Sequence, residues 1–553
     1  MRPWGRIWIA FAICAVALCA CPAPPASPAT PPTAPTLEAT SPPAPTSAPY
    51  PQPTDAPTPT PRPTRPTPTP DRRPVIASPA WFNDATLYQV FLRSFYDSDG
   101  DGVGDLRGLQ QKLDYIQSLG VNTIWMNPHY PSLTYHGYDV ADYKAVNPQF
   151  GTLDDFKALV EEIKRRDMRL IVDFVANHTS KGHPFFRDAY GNPQSPYTKW
   201  FLFKDANNLS YSSFFGIADL PEWNHSNREV NAYLIDAAEF WLDLGVDGLR
   251  ADYARGVERW FWEDLRRAVK AKNPDAVLLG EVWDGEPSTL QRYFDEGFDA
   301  LFDFPWYLRL SGGENAVGKG VLNGMVDPLL LQQAYRAMLN LYPRGAQIVR
   351  FPSNHDTNRV ASSVEGDPAR MRLAAAASIL TPGIPIIYYG EEIGMRGVKG
   401  PGPIYDEFRR EPMDWYAGET GPGMTTWFKP ANRNNRPNDG ISVEEQDGDP
   451  DSLLNYYRAL IRLRNARAAL RSTDFRMMDA VTGCPTCMGI WRRADDEVIA
   501  MIFNFSGQAH TAALDLTESP APIGERVEFL LGDSRPLDAL AIAPWGALVI
   551  SWR

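Results

Sequence analysis

Cysteine, histidine and positive charge are all scarce in this chain. Five cysteines and seven histidines stand among 553 residues, and 54 lysines and arginines face 67 aspartates and glutamates. The resulting net charge of −13 argues against nucleic acid or an anionic lipid surface as a partner, because an acidic chain repels polyanions. Cys484 and Cys487 have no histidines near them in sequence, so they make a poor zinc site. The N-terminal apolar run, residues 7–20, is too short to span a bilayer comfortably. What is present, with 44% of residues hydrophobic and 22% charged, suffices for a large core.

Arg2 and Arg6 ahead of that run give the pattern of a secretory signal. The run ends Leu18-Cys19-Ala20-Cys21, which resembles a bacterial lipobox within residues 1–21 and marks Cys21 as the lipidated first residue after cleavage. Cys19 fits worse, since the bulky Leu18 would sit at the cleavage position. The chain is therefore expected to be exported and held at the cell surface as a lipoprotein, touching the membrane by its lipid anchor only. Residues 22–79 are dominated by Pro, Thr, Ala and Ser. Proline fixes φ and removes donors, so this stretch builds no core and favours extended polyproline II. At roughly 3 Å per residue such a spacer reaches on the order of 150 Å. In an exported chain, Cys484-Pro-Thr-Cys487 is expected to close a small disulfide loop. A redox-active pair would want a βαβ context that is not there.

From residue 80 to about 470, strand-like and helix-like runs alternate. Apolar β-type runs lie at 88–95, 121–128, 169–178, 247–253, 277–283, 300–306, 347–356 and 384–391, with amphipathic segments such as 106–119, 153–166, 230–244 and 258–272 between them. Eight strands interleaved with helices predict an α/β fold, a closed parallel (β/α)8 TIM barrel. After strand three, residues of about 179–226 are polar, aromatic and irregular, and read as a small inserted domain. Residues 471–553 change to short alternating strands, at 489–493, 498–505, 526–531 and 547–552, which predict an antiparallel β-sandwich. That last domain either binds carbohydrate or simply covers one side of the barrel.

Four short strings place acids, imidazoles and a guanidinium at the ends of apolar runs: Asp173-Phe-Val-Ala-Asn177-His178, Gly248-Leu-Arg250-Ala-Asp252, Gly280-Glu281-Val-Trp283 and Asn354-His355-Asp356. In a parallel barrel the C-terminal strand ends converge on one face, so Asp252, Glu281 and Asp356 are expected to share a pocket. Glycoside hydrolysis needs two carboxyl groups in different protonation states. Arg250 and Asp252 emerge on the same side of a strand, and the guanidinium should keep Asp252 ionised, as a nucleophile. Glu281 has no basic neighbour in sequence and suits the proton donor. Asp356, beside His355, would bind sugar hydroxyls as the ring flattens.

These strings resemble the successive signature regions of glycoside hydrolase family 13, the α-amylase family. Val121-Asn-Thr-Ile-Trp-Met-Asn-Pro128, Leu220-Pro-Glu-Trp-Asn224 and Gly383-Ile-Pro-Ile-Ile-Tyr-Tyr-Gly-Glu391 agree with it. The resemblance implies a retaining mechanism on α-glucosidic bonds, with Asp252 as nucleophile, Glu281 as acid/base and Asp356 as transition-state stabiliser. It implies that His178, His355 and Arg250 surround the sugar being cleaved and that Tyr138 stacks under it. Trp283 and Trp223 are further candidate stacking platforms.

Asp97-Ser-Asp99-Gly-Asp101-Gly102-Val103-Gly-Asp105 sets acids at loop positions 1, 3, 5 and 9, glycine at 6 and a carbonyl, that of Val103, at 7. Gly108 stands where an EF-hand needs its closing glutamate, so a complete EF-hand is excluded while a hard-cation site is not. Amylase-family enzymes similar to this one carry Ca2+ in this loop. Tyr135-His136-Gly137-Tyr138-Asp139 resembles endo-acting amylases, whereas exo-acting α-glucosidases tend to have an acid where Tyr135 stands. Arg255-Gly256 replaces the lysine-histidine pair of a typical α-amylase, and Arg410-Glu411-Pro412-Met413 resembles a group intermediate between amylases and oligo-1,6-glucosidases. The expected activity is hydrolysis of internal α-1,4 bonds in an α-glucan such as starch, glycogen or maltodextrin, by a monomer. A neopullulanase, α-glucosidase or transglycosylase of the same family, or a catalytically silent glucan-binding protein, are the alternatives.

Overall fold

The computed structural model describes residues 73–295, 297–313, 318–401, 405–522, 527–532 and 536–553. The signal, the lipobox with Cys21 and nearly all of the Pro/Thr-rich segment lie outside them. The described chain is tied to the barrel from Arg73 onward. Arg73 donates to the carbonyls of Met338 (2.9 Å) and Tyr342 (3.0 Å), and Ile76 N–H to that of Arg344 (2.8 Å).

Eight parallel strands close a barrel in sequence order: β1 (Leu87–Val90), β2 (Thr123–Met126), β3 (Arg169–Val175), β4 (Gly248–Asp252), β5 (Val277–Gly280), β6 (Ala300–Phe302), β7 (Gln347–Arg350) and β8 (Ile384–Tyr388). β8 pairs back with β1, Ile386 opposite Leu87. Side chains alternate across each strand. Leu87, Trp125, Ile171, Val277, Leu279, Ala300, Val349 and Ile386 fill the barrel interior, while Tyr88, Ile124, Leu170, Val172, Leu249, Leu278 and Ile387 pack outward against the helices. Both faces are buried, which is why these strands read as unbroken apolar runs.

The strands are shorter than the runs that announced them. The first run bends after Val90 into a short helix, Leu92–Phe95, and the sixth passes after Phe302 into a helix, Phe304–Ser311. Both helices are buried, which extends the buried run past the strand ends, although the first carries the polar Arg93 and Ser94. The segment at 106–119 forms two helices, Leu106–Gln111 and Leu113–Ser118, parted at Lys112, whose ammonium sits 4.0 Å from the centre of the Trp415 ring. Helices Leu153–Arg165, Arg228–Asp243 and Arg259–Lys272 fall where the periodicity put them, the first opened by a Thr152/Asp155 capping box.

The C-terminal region is antiparallel, as expected. β9 (Phe475–Met477), β10 (Cys487–Ala494), β11 (Glu497–Asn504), β13 (Val527–Leu531) and β15 (Ala547–Trp552) form one sheet, and β12 (His510–Ala512) pairs with β14 (Leu540–Ile542). Trp491, Ile502, Ile550 and Trp552 pack against Ala512, Leu540 and Ile542 between the two layers. On the opposite face, Ile490, Ile499, Met501, Phe503 and Val549 join the barrel's hydrophobic cluster, so this sheet covers one side of the barrel. Cys484 and Cys487 are joined by a disulfide.

Candidate active site

Alternation along the strands decides which polar groups face the barrel mouth. Ile171 points inward, and so does Asp173, two residues on; Arg250 lies opposite Asp173 in the β3–β4 register, and Asp252 follows it on the same face. Leu279 points inward, which brings Glu281 inward just past the end of β5. β7 stops at Arg350, so Asp356 comes from the following loop rather than the strand itself. Asp252, Glu281 and Asp356 nevertheless line one cavity of about 360 Å3, together with Tyr138, His178 and Trp283.

Arg250, only 1% exposed, is the hub of the floor. Its Nη1 donates to Asp173 (2.5 Å) and Asp252 (2.8 Å), and its Nη2 reaches Glu281 at 2.7 Å. Glu281 thus has a cationic neighbour that its position in the sequence concealed. Its second oxygen accepts the backbone N–H of Tyr253 at 2.9 Å. The expected depression of the Asp252 pKa does not hold in net sign. Burial penalises the charged carboxylate more than Arg250 favours it, and the carboxyls of Asp252 and Glu281 are both pushed up to about 7. Asp173 is raised to about 6 for the same reason. The floor therefore carries exchangeable protons near neutrality.

Asp356 is the opposite case. Burial works against its charge, but His355 Nε2 at 3.0 Å and Arg410 Nη2 at 2.9 Å hold its carboxyl well below the usual range. The tautomer of His355 follows from the network. Asn127 spends its amide donors on Tyr138 (3.1 Å) and Asp173 (3.3 Å), which leaves its oxygen to accept from Gln89 Nε2 at 3.0 Å. The same Gln89 nitrogen, 2.8 Å from His355 Nδ1, makes that atom an acceptor and puts the proton on Nε2, toward Tyr138 (2.5 Å) and Asp356. Burial lowers the imidazole pKa to about 4, so it is neutral at pH 7.

Tyr138 stacks on His355, ring centroids 5.5 Å apart, and lines the cavity as expected. His178 is buried against Phe214 (4.5 Å), with its pKa lowered to about 3 by burial. Its Nε2 finds no partner among the described residues, which leaves it for a ligand. Trp283 lines the cavity and stacks on Phe304 at 4.7 Å. Trp223 is not a platform: it is buried, stacks on Phe201 and donates to the Tyr143 hydroxyl at 3.1 Å. Sequence reasoning assigned no site role to Gln89, Asn127, His136 or Arg410. Gln89 carried a signal, as a polar residue at an inward position of an apolar strand. Arg410 carried none, since only folding brings it beside Asp356.

The acidic loop is built as a cradle. One carboxylate oxygen each of Asp97, Asp99 and Asp105 lies within 4.8 Å of the others, and Asp97 and Asp105 are buried. Asp97 also accepts the N–H groups of Gly100 (2.6 Å) and Gly102 (2.8 Å), fixing the turn. Gly102 has φ 91°, and a Cβ there would stand 2.5 Å from the Thr426 hydroxyl, so glycine is required twice over. Asp101 stays outside the cluster, with one oxygen taken by the Val103 N–H at 2.7 Å. Three hard oxygen donors converging in a partly buried loop fit a hard cation, and would repel one another strongly without one.

Comparison with known proteins bears on this site. Residues 89–473 match the family described as "Alpha amylase, catalytic domain". The chain is 35% identical over 444 residues to Alpha-amylase 3 of Dictyoglomus thermophilum, covering 77% of this chain and 85% of that one. It is 30% identical over 477 residues to Neopullulanase 2 of Thermoactinomyces vulgaris, covering 81% and 74%. Among solved structures, the α-amylase from H. orenii superimposes with a TM-score of 0.73 at 31% identity, covering 85% of this chain and 99% of that one.

Proposed function

The chain belongs to the α-amylase family of glycoside hydrolases, and on that premise we propose that it is a retaining α-amylase cleaving internal α-1,4-glucosidic bonds of starch, glycogen or maltodextrin. One observation carries the reading: a single buried guanidinium, Arg250, joins Asp252 and Glu281 at the floor of a cavity whose wall holds the ionised Asp356. Burial raises both carboxyls while Arg250 favours their charged forms, the balance that a nucleophile and a general acid drawn from one buried pair call for.

In the first step the Asp252 carboxylate attacks the anomeric carbon while Glu281 gives its proton to the departing glycosidic oxygen. In the second, Glu281 takes a proton from water, the water oxygen bonds to the anomeric carbon, and the electron pair of the ester bond returns to Asp252. Two inversions leave the α configuration. Asp356, held by His355 and Arg410, and the Nε2 of His178 are placed to bind sugar hydroxyls as the ring flattens and positive charge spreads over the anomeric carbon and ring oxygen.

Endo action is supported by Tyr135, an uncharged residue stacked on Trp427 at 5.3 Å, at the sequence position where exo-acting relatives tend to have an acid. Asp97, Asp99 and Asp105 would hold Ca2+, which would tie down the loop ahead of helix Leu106–Gln111. The reading includes a monomer, and export with anchoring through Cys21, the latter supported by the signal-like residues 1–21. The test is release of reducing ends from soluble starch by wild type and by Glu281→Gln, with product analysis on maltoheptaose. A range of mid-length products from wild type and a loss of at least a thousand-fold in the variant are expected. Equal rates, or glucose alone from chain ends, would contradict the assignment.

A further inference from the structure

At the end of the barrel opposite the catalytic floor lies a second cavity, of about 280 Å3, walled by residues that precede strands rather than follow them. Asn83 stands ahead of β1, Gln347 opens β7 and Gly383 comes just before β8, while Ser472, Thr473 and Phe475 close the cavity from the start of the C-terminal sheet. Arg73, Arg344 and Arg471 line it, and no aspartate or glutamate does. In a chain of net charge −13 this is a concentrated excess of positive charge. Arg73 is pinned on the carbonyls of Met338 and Tyr342. Arg471 spends its Nε on Asp84 (2.7 Å) and its Nη1 on the carbonyls of Arg464 (3.1 Å) and Asn465, which leaves Nη2 for a ligand. Arg344 is exposed, and its side chain makes no hydrogen bond or ion pair among the described residues.

More positive charge is buried behind the wall. Arg464 and Arg492 are each 1% exposed, and among the described residues neither has a carboxylate partner. Their acceptors are carbonyls: Arg464 donates to Leu470 (2.7 Å) and Gly383 (3.0 Å), and Arg492 to Leu380 (2.9 Å) and Ser472. Gly383 and Ser472 are wall residues, so each guanidinium sits one peptide group behind the cavity surface. Leu380 ends the helix Pro368–Leu380, whose dipole supplies only about half a negative charge against two full positive ones. Burial and the guanidinium of Arg471 push Arg464 down to about 9, and burial and Arg464 push Arg492 down in turn. The Nε of each has no acceptor. A buried cation without a counterion is costly, and an anion in the adjoining cavity would offset that cost. We propose that this cavity is an oxyanion site that takes a phosphate ester, gripped by Arg344 and Arg471 and drawn in by the field of Arg464 and Arg492. Guanidinium forks present paired N–H donors that match two oxygens of a phosphate, and the volume leaves room for the small polyol carrying it. Residues of the barrel and of the C-terminal sheet both contribute, so the bound anion ties the two together. A soluble phosphate ester and a glycerophosphate lipid headgroup offer this same chemistry. The site stands apart from the catalytic carboxylates and does not depend on what they do.

The test titrates glycerol phosphate with the full chain at constant ionic strength and follows its phosphorus NMR resonance, for wild type, Arg344→Glu and Thr473→Asp. Both positions are exposed, so the variants should fold, and their melting midpoints in buffer alone check this. Wild type should shift and broaden the resonance saturably, with an affinity that excess maltose leaves unchanged. At a hundred-fold excess over Kd the ester should raise the wild-type midpoint by about 2–3 °C. Each variant places a carboxylate at the site, so it should bind roughly ten-fold more weakly or worse and lose most of that rise. A second arm sediments Cys21→Ser, which lacks the cysteine an anchor would need, with and without Arg344→Glu. The vesicles are equal parts phosphatidylglycerol and phosphatidylcholine, against phosphatidylcholine alone. Capture by the first that needs Arg344 and is competed by glycerol phosphate would support the site with a lipid headgroup as its ligand. A saturable titration without such capture would support it with a soluble ester. The proposal is overturned by equal affinity in wild type and both variants, by displacement with maltose, or by neither titration nor Arg344-dependent capture.

Discussion

Replacing Arg250 by methionine should produce a stability loss that depends steeply on pH. Arg250 is 1% exposed and holds Asp173, Asp252 and Glu281 at 2.5, 2.8 and 2.7 Å. These carboxyls are raised to about 6, 7 and 7 by burial even with the guanidinium present. At pH 5 they hold their protons, and an apolar side chain beside neutral acids costs little. At pH 8 they are ionised, and the variant leaves buried anions without their cation, a loss of about 3–5 kcal/mol. The sign follows from linkage. A carboxyl raised above its unfolded value binds more protons when folded, so stability falls as pH climbs from the unfolded pKa through the folded one. Without Arg250 the folded values rise further, and the fall becomes steeper and continues to higher pH. At about 2.1 cal/mol/K per residue over roughly 480 folded residues, 3–5 kcal/mol corresponds to about 3–5 °C in the calorimetric midpoint. The variant should therefore melt within about a degree of wild type at pH 5 and about 3–5 °C below it at pH 8. An equal drop at both pH values would refute the reasoning, because it would mean that Arg250 acts by packing and not by charge.

Chelation should lower the melting midpoint of the whole chain, and Ca2+ should restore it; at a hundred-fold excess over Kd the ion is worth about 2.7 kcal/mol. Asp97→Asn should abolish that response, since Asp97 both joins the carboxylate cluster and braces the loop; a chelator-insensitive wild type would argue against a cation there. Cys484→Ser opens a loop of only four residues and should cost about 2 kcal/mol, read as a denaturant midpoint with unchanged m-value. A loss much above that would mean the disulfide also holds the packing between the two C-terminal layers.

The eight strands were legible because both their faces are buried, which makes each an apolar run that turn residues interrupt. Their C-terminal ends were not, because burial continues past the strand. Residues 304–306 are as apolar as the strand before them and 92–95 are just as buried, yet both turn into helices. Asp252 and Glu281 were legible from their place at the ends of apolar runs, while Asp356 was placed on a strand that ends at Arg350. The protonation of the pair was not legible at all. The i to i+2 relation of Arg250 and Asp252 suggested a lowered pKa, but the outcome turns on burial by the whole pocket, and on the same guanidinium serving Glu281. Long-range partners fail for the same reason: Arg410 reaches Asp356 across 54 residues. Trp223 shows the converse, an aromatic that was a candidate sugar platform in the sequence and is core in the fold.

The division of labour between Asp252 and Glu281 can be tested most directly by trapping the intermediate. Glu281→Gln treated with α-maltosyl fluoride keeps a leaving group that needs no acid, but lacks the base for the second step. Peptide mass mapping should then find one maltosyl adduct on the peptide bearing Asp252, and proton NMR of wild-type products should show the α anomer first. No adduct, together with a β anomer appearing first, would contradict the account.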